Sequence, residues 1–415
     1  MFRYRTGMRP WLILTALVAL ALTLGACGGD DNDPTDPGNG DDSVYDPPDV
    51  TESAMTGSMN VARDLHTATL LKDGRVLVTG GWDGADRLAS CELYDPEAGT
   101  WSLTTPLGEA RAFHTATLMA DGRVYVCGGS NAQINSTYMF EIFDPETETW
   151  SEVNYADHTD DHHRMWTHRQ HHRTNLLPDA TLLITGGFST YVTNQNGTPG
   201  EYLRRYEFYD PTTNVCYPRD EPYPRMNSRR SGHTATTMVG GRVLIAGGFN
   251  NEDDYHAFCD IFDPTDDTLT AAAAMPGAHW MHEAHLLDDG RVLVAGGANA
   301  LMSYTRDCCL YDPATDTWSA TGSMREARKN PASVKLPDGR VMVGGNASTG
   351  TVEIYTPSTG TWALIEEMSR DRTMFTMTVF PNGVVLIAGG LDREGGDDVY
   401  LESCELFVPP AVGKE

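Results

Sequence analysis

The chain has 415 residues, 40% of them hydrophobic and 9% aromatic, so it is long enough to bury a large core. Its formal net charge of −28 at pH 7 argues against nucleic acid or an anionic membrane surface as the main partner.

Arg3, Arg5 and Arg9 precede an apolar and small-residue run from Trp11 to Leu24, too short for a comfortable membrane span but suited to a signal-peptide core. The run ends in Leu24-Gly25-Ala26-Cys27, which resembles the bacterial lipobox. The resemblance implies cleavage after residue 26, a lipid on Cys27 and a place in the bacterial cell envelope, with the lipid alone holding the protein to the membrane. Without the three arginines of the leader the charge becomes −28 − 3 = −31. Residues 27–50, including GGDDNDPTDPGNGDD, hold almost nothing apolar, so they read as an acidic disordered tether.

From residue 51 to 410 the sequence repeats. Paired glycines recur at Gly80-Gly81, Gly128-Gly129, Gly186-Gly187, Gly247-Gly248, Gly296-Gly297, Gly344-Gly345 and Gly389-Gly390, a spacing of 45 to 61 residues that fits propeller blades. Each pair follows a turn and a β-rich run such as DGRVLVTGG, and before the turn stands another short strand such as HTATLL. The two predict a hairpin whose Asp-Gly or Asn-Gly supplies the positive φ of a tight turn. A third strand ends in an aromatic, as in CELYDP, FEIFDP and CCLYDP, and a fourth begins near Trp101, Trp150, Trp318 or Trp362; Cys216 and Leu269 take the tryptophan slot in two copies. This combination resembles the kelch repeat. The resemblance implies an all-β, seven-bladed propeller with four antiparallel strands per blade around a central channel.

The seventh copy has no fourth strand after Pro409, but TESAMTGSM at 51–59 resembles TWSATGSM at 317–324. An N-terminal strand is therefore expected to complete the last blade, leaving residues 411–415 as a tail and no open sheet edge at the closure. Cys91, Cys259, Cys308 and Cys404 share one slot in different blades, too far apart to bridge, and read as small buried hydrophobes.

The frame sorts the polar residues. Loops after the second and fourth strands open on one face, and the long insertions collect there: residues 188–205, 249–257 and the histidine stretch DHTDDHHRMWTHRQHHR at 157–173. That stretch carries six of the thirteen histidines. Arg169 and His172 belong to the repeat, whereas His158, His162, His163 and His168 stand beside Asp157, Asp160 and Asp161 as candidate ligands for a divalent transition metal. No established metal motif matches their spacing, and a pH-sensitive polar loop is the alternative. No cofactor is firmly predicted.

Two rings repeat around the frame. Arg63, Arg111, Arg169, Arg230, Arg328 and Arg372 align, with His279 in the fifth copy; His66, His114, His172, His233 and His282 align three residues later, with Pro331 and Phe375 in the last copies. Converging guanidiniums at the channel mouth would form an anion site; the alternative is a packing role common to all blades. The kelch resemblance also admits two enzyme readings. Copper-radical oxidases resembling galactose oxidase carry a Tyr-His ligand pair at first-strand starts, and RKNPAS and RDRTMF hold none. A mutarotase-like activity on carbohydrate needs only arginine and an acid in the channel. The function expected is a monomeric, non-enzymatic binding module that takes a protein or glycan ligand on the long-loop face, with a carbohydrate-binding or carbohydrate-modifying enzyme as the alternative.

Overall fold

The computed structural model describes residues 50–413 apart from 134, 152–163, 194–198, 218–224, 252–255, 346–349 and 394–396. Seven four-stranded antiparallel sheets follow one another, each built from strands consecutive in sequence except the third, interrupted by the two-stranded ribbon Phe188–Thr193 and Pro199–Tyr202, and the last. Blade 1 is Thr67–Leu70, Val76–Thr79, Cys91–Asp95 and Thr100–Thr104. The innermost contacts run between the first strands of neighbouring blades, so these strands line the axis. Blade 7 consists of Thr376–Val379, Val385–Ala388, Cys404–Phe407 and, from the other end of the chain, Ala54–Met55. Ala54 pairs with Leu406 and Met55 with Glu405, which is the closure expected from the sequence.

Each sequence signature has a physical reason. In the blade 1 hairpin Leu71 donates to Arg75 O and Gly74 to Leu71 O, closing a three-residue loop in which Gly74 has φ +85°. Only the glycine of Asp-Gly needs positive φ in this loop; Asp73 instead accepts the Arg75 N–H. The second strands are fully buried, Val76–Thr79 and its counterparts alike, because neighbouring blades cover both their faces. The first glycine of each pair lies under the next blade: a Cβ on Gly128 would stand 2.5 Å from His172 Cε1 and 2.6 Å from the Arg169 carbonyl oxygen. Tryptophan of the fourth strand packs in a tilted arrangement against the aromatic of the third, as Trp101 against Tyr94 at 5.0 Å and Trp318 against Tyr311 at 5.1 Å. Trp150, Trp318 and Trp362 also donate their indole N–H to Thr105, Ala273 and Gly322 carbonyls of the preceding blade. All seven cysteines among the described residues are buried and free.

Candidate functional site

The six repeated arginines are buried in their own blades. Arg111 is representative: Nη1 donates to Gly128 O and Met139 O at 3.0 Å each, and Nη2 to Glu141 at 2.5 Å. The partner acid lies second in the third strand, or third in the sixth blade where the strand starts at Thr351, and Arg63, Arg169, Arg230, Arg328 and Arg372 pair with Glu92, Glu207, Asp260, Glu353 and Glu405. All six side chains are at most 1% exposed. The expectation that they converge as an anion site is therefore corrected: a guanidinium bound to backbone carbonyl and carboxylate within its own blade and buried in a dry interior lies out of a ligand's reach. The acid also accepts backbone N–H groups of the incoming chain, as Glu92 does from Asn60 and Val61.

The histidine ring ties blade to blade. His114 Nε2 contacts the Thr79 hydroxyl at 2.9 Å, His233 that of Thr185 at 2.9 Å, and His282 that of Thr234 at 2.8 Å, each in the preceding blade. Burial depresses all five imidazoles, His66 to about 3, with the neighbouring arginines adding to the effect for most of them, so they stay neutral.

Between the two rings the chain makes a turn that no sequence signal announces. Leu65, Phe113, His171, Gly232, Met281, Asn330 and Met374 occupy one slot in the seven blades, and all have φ between +50° and +61°. Six of them donate a backbone N–H to the carbonyl of the same slot in the preceding blade, for example Asn330 to Met281 at 2.7 Å. This collar surrounds the channel mouth, a pocket of about 550 Å³ on the long-loop face. Only one of the seven is glycine, so six side chains sit at the rim in a left-handed conformation that costs each about 1 kcal/mol or more.

Just inside the collar, the residue after the ring-histidine slot is Thr67, Thr115, Thr234 or Thr376 in four blades, the last of them following Phe375. Blade 3 has Arg173 there and blade 5 has Glu283, and both line the pocket. Arg173 makes no ion pair within 4.0 Å among the described residues; its Nη1 reaches only the His172 carbonyl, at 3.4 Å. Its field nevertheless acts on His233 in the next blade and on His282 and Glu283 two blades away. Burial raises the Glu283 carboxyl above its ordinary value, opposed by Arg173 and by the Ser333 hydroxyl, which donates at 3.1 Å. Lys329 lies over the Trp280 ring at 4.0 Å on the same rim. Neither Arg173 nor Glu283 was among the expected site residues. The readable signal was the break of the repeated His-Thr into His172-Arg173 and His282-Glu283.

The histidine stretch divides. His158, His162 and His163 lie outside the described residues. His168 is half-buried, donates from Nδ1 to the Ser136 carbonyl at 3.0 Å, and packs against Tyr138 at 4.1 Å and Tyr191 at 4.2 Å. With Arg164 and Trp166 it lines a second cavity of about 380 Å³, and Trp166 and Tyr191 are more than half exposed. His171 belongs to the collar, 4.2 Å from Phe113. Among the described residues no group of three His, Cys, Asp or Glu side chains is placed to hold a metal ion.

Residues 66–108 and 111–155 match the Kelch motif. No curated protein matches the chain. Among solved structures it is similar to a fungal alcohol oxidase described as showing catalytic diversity among the AA5 family, in complex with copper, with a TM-score of 0.67 and 17% identity over 86% of this chain and 76% of that one. It is also similar to the structure of YjhT, with a TM-score of 0.55 and 15% identity over 74% of this chain and 99% of that one. At these identities the likeness is one of fold alone. The chain is a seven-bladed β-propeller carrying Kelch motifs.

Proposed function

We propose that the chain is a binding module whose channel mouth takes a small anionic, hydroxylated ligand of the acidic-sugar class. One observation carries this reading: the repeat breaks at one ring slot to place Arg173 and Glu283 in the same pocket. Arg173 offers a planar fork for a carboxylate, Lys329 adds positive charge at the rim, and Glu283, Ser333 and Asn330 suit hydroxyl groups. The exposed aromatics Trp166 and Tyr191 give the same face a stacking surface for a larger glycan or a protein.

A second reading, a carbohydrate-modifying activity, is favoured by Glu283. A carboxyl held above its ordinary value inside a pocket is poised to exchange a proton with a ring hydroxyl. Calorimetry with a sialic or uronic acid tests the first reading: binding should weaken roughly tenfold or more in Arg173→Ala. Absence of binding to any acidic sugar would refute it. Anomer exchange followed by NMR tests the second, which requires that Glu283→Gln abolish exchange while binding persists. The lipid anchor and envelope location are proposed on Leu24-Gly25-Ala26-Cys27 alone. Mass spectrometry of the native protein checks them.

A further inference from the structure

Six blades fill one site with a guanidinium–carboxylate pair. The fifth departs from this at three positions together. His279 replaces the arginine, Cys309 replaces the acid of the third strand, and Pro276 stands where Asn60, Gly108 and Arg325 give that acid a backbone N–H. His279 Nδ1 meets Gly296 O at 2.7 Å, the carbonyl that Arg Nη1 reaches in the other blades. The Asp307 carbonyl, whose counterparts in Ser90, Met139, Phe258, Thr351 and Ser403 accept from the arginine, has no side-chain donor among the described residues.

What remains is a cavity of about 480 Å³ lined by Pro276, Gly277, His279, Asp307 and Cys309. A Cβ built on Gly277 meets nothing within 4 Å, so the space is open there. Leu301, 83% exposed, stands on its wall.

The chemistry of the lining selects the guest. A carbonyl only accepts, so His279 Nδ1 carries the proton and Nε2 keeps its lone pair. That nitrogen has no partner among the described residues, although His279 is 4% exposed. Among the described residues Asp307 is the sole charged side chain of the lining. Among the described residues the cavity thus presents an imidazole acceptor, a carboxylate and the Asp307 carbonyl, which accepts only the Gly296 N–H, between the apolar walls of Ala300, Cys308 and Ala320, with no lysine or arginine. We propose that it binds a small organic cation with N–H donors, a guanidinium or primary ammonium, where the other blades seat their own arginine.

Calorimetry on the purified chain tests this, with agmatine as the probe and choline, a cation without N–H donors, as the control. One agmatine per chain should bind, choline should not, and Asp307→Asn should weaken agmatine roughly tenfold or more. The double variant His279→Arg/Cys309→Glu, which rebuilds the pair, should abolish binding; Gly277→Leu, which fills the open space, should do the same if the double variant does not fold. Arg173→Ala should leave agmatine affinity unchanged, which separates this site from the channel mouth. No agmatine binding, equal binding of choline, or undiminished binding in both Asp307→Asn and Gly277→Leu would overturn the proposal.

Discussion

Exchanging the blade 2 pair for that of blade 5 tests whether the buried pairs act as units. Arg111 and Glu141 are 0% and 1% exposed, and four hydrogen bonds hold the guanidinium. Arg111→His alone leaves a buried carboxylate with only the Gly108 and Glu109 N–H groups. Glu141→Cys alone leaves a buried guanidinium without its countercharge. Each single change should cost about 3 to 5 kcal/mol, because an unpaired charge in a dry interior keeps its full desolvation penalty. The double change Arg111→His/Glu141→Cys leaves no buried charge and copies a combination that blade 5 already accommodates. Its cost should fall short of the summed single costs by about 3 kcal/mol. Urea unfolding followed by tryptophan fluorescence measures all three variants. Costs that add to within about 0.5 kcal/mol would refute the claim that arginine and acid stand or fall together.

Three further outcomes are expected. The ring histidines have depressed folded pKa values, so their contribution is complete above the unfolded value of about 6.5 and is lost as pH falls below it, by up to about 1.4 kcal/mol per pH unit for each. Urea midpoints between pH 7.5 and 5 should therefore fall less steeply in His114→Gln than in the wild type; an unchanged slope would count against neutral burial. Gly128→Ala should cost about 2 to 4 kcal/mol, since its Cβ meets His172 and Arg169 O, whereas Gly240→Ala, where nothing lies within 4 Å, should cost only the about 1 kcal/mol of positive φ. Thermal unfolding that ranks the two equally would show that the glycine pair is not fixed by blade contact. Deleting residues 51–58 should bare the edge strand Cys404–Phe407 and produce concentration-dependent association in sedimentation; a monomer as stable as the parent would refute the closure role.

The sequence by itself determined the ring. Paired glycines, Asp-Gly turns and the spaced aromatics are local needs repeated in every blade, and repetition lets one chain report its own pattern. The same regularity made Arg63, Arg111, Arg169, Arg230, Arg328 and Arg372 look like a site. Their acids, such as Glu92 and Glu141, lie about 30 residues downstream, so only packing discloses that each pair closes on itself. The left-handed collar was likewise unreadable, because Leu65, Phe113, Met281 and Met374 lack the residue types that favour positive φ; contact with the neighbouring blade imposes it. Tertiary structure also decided where the chemistry stands. Arg173 and Glu283 are 110 positions apart in sequence, and only closure of the ring turns two departures from His-Thr into one pocket.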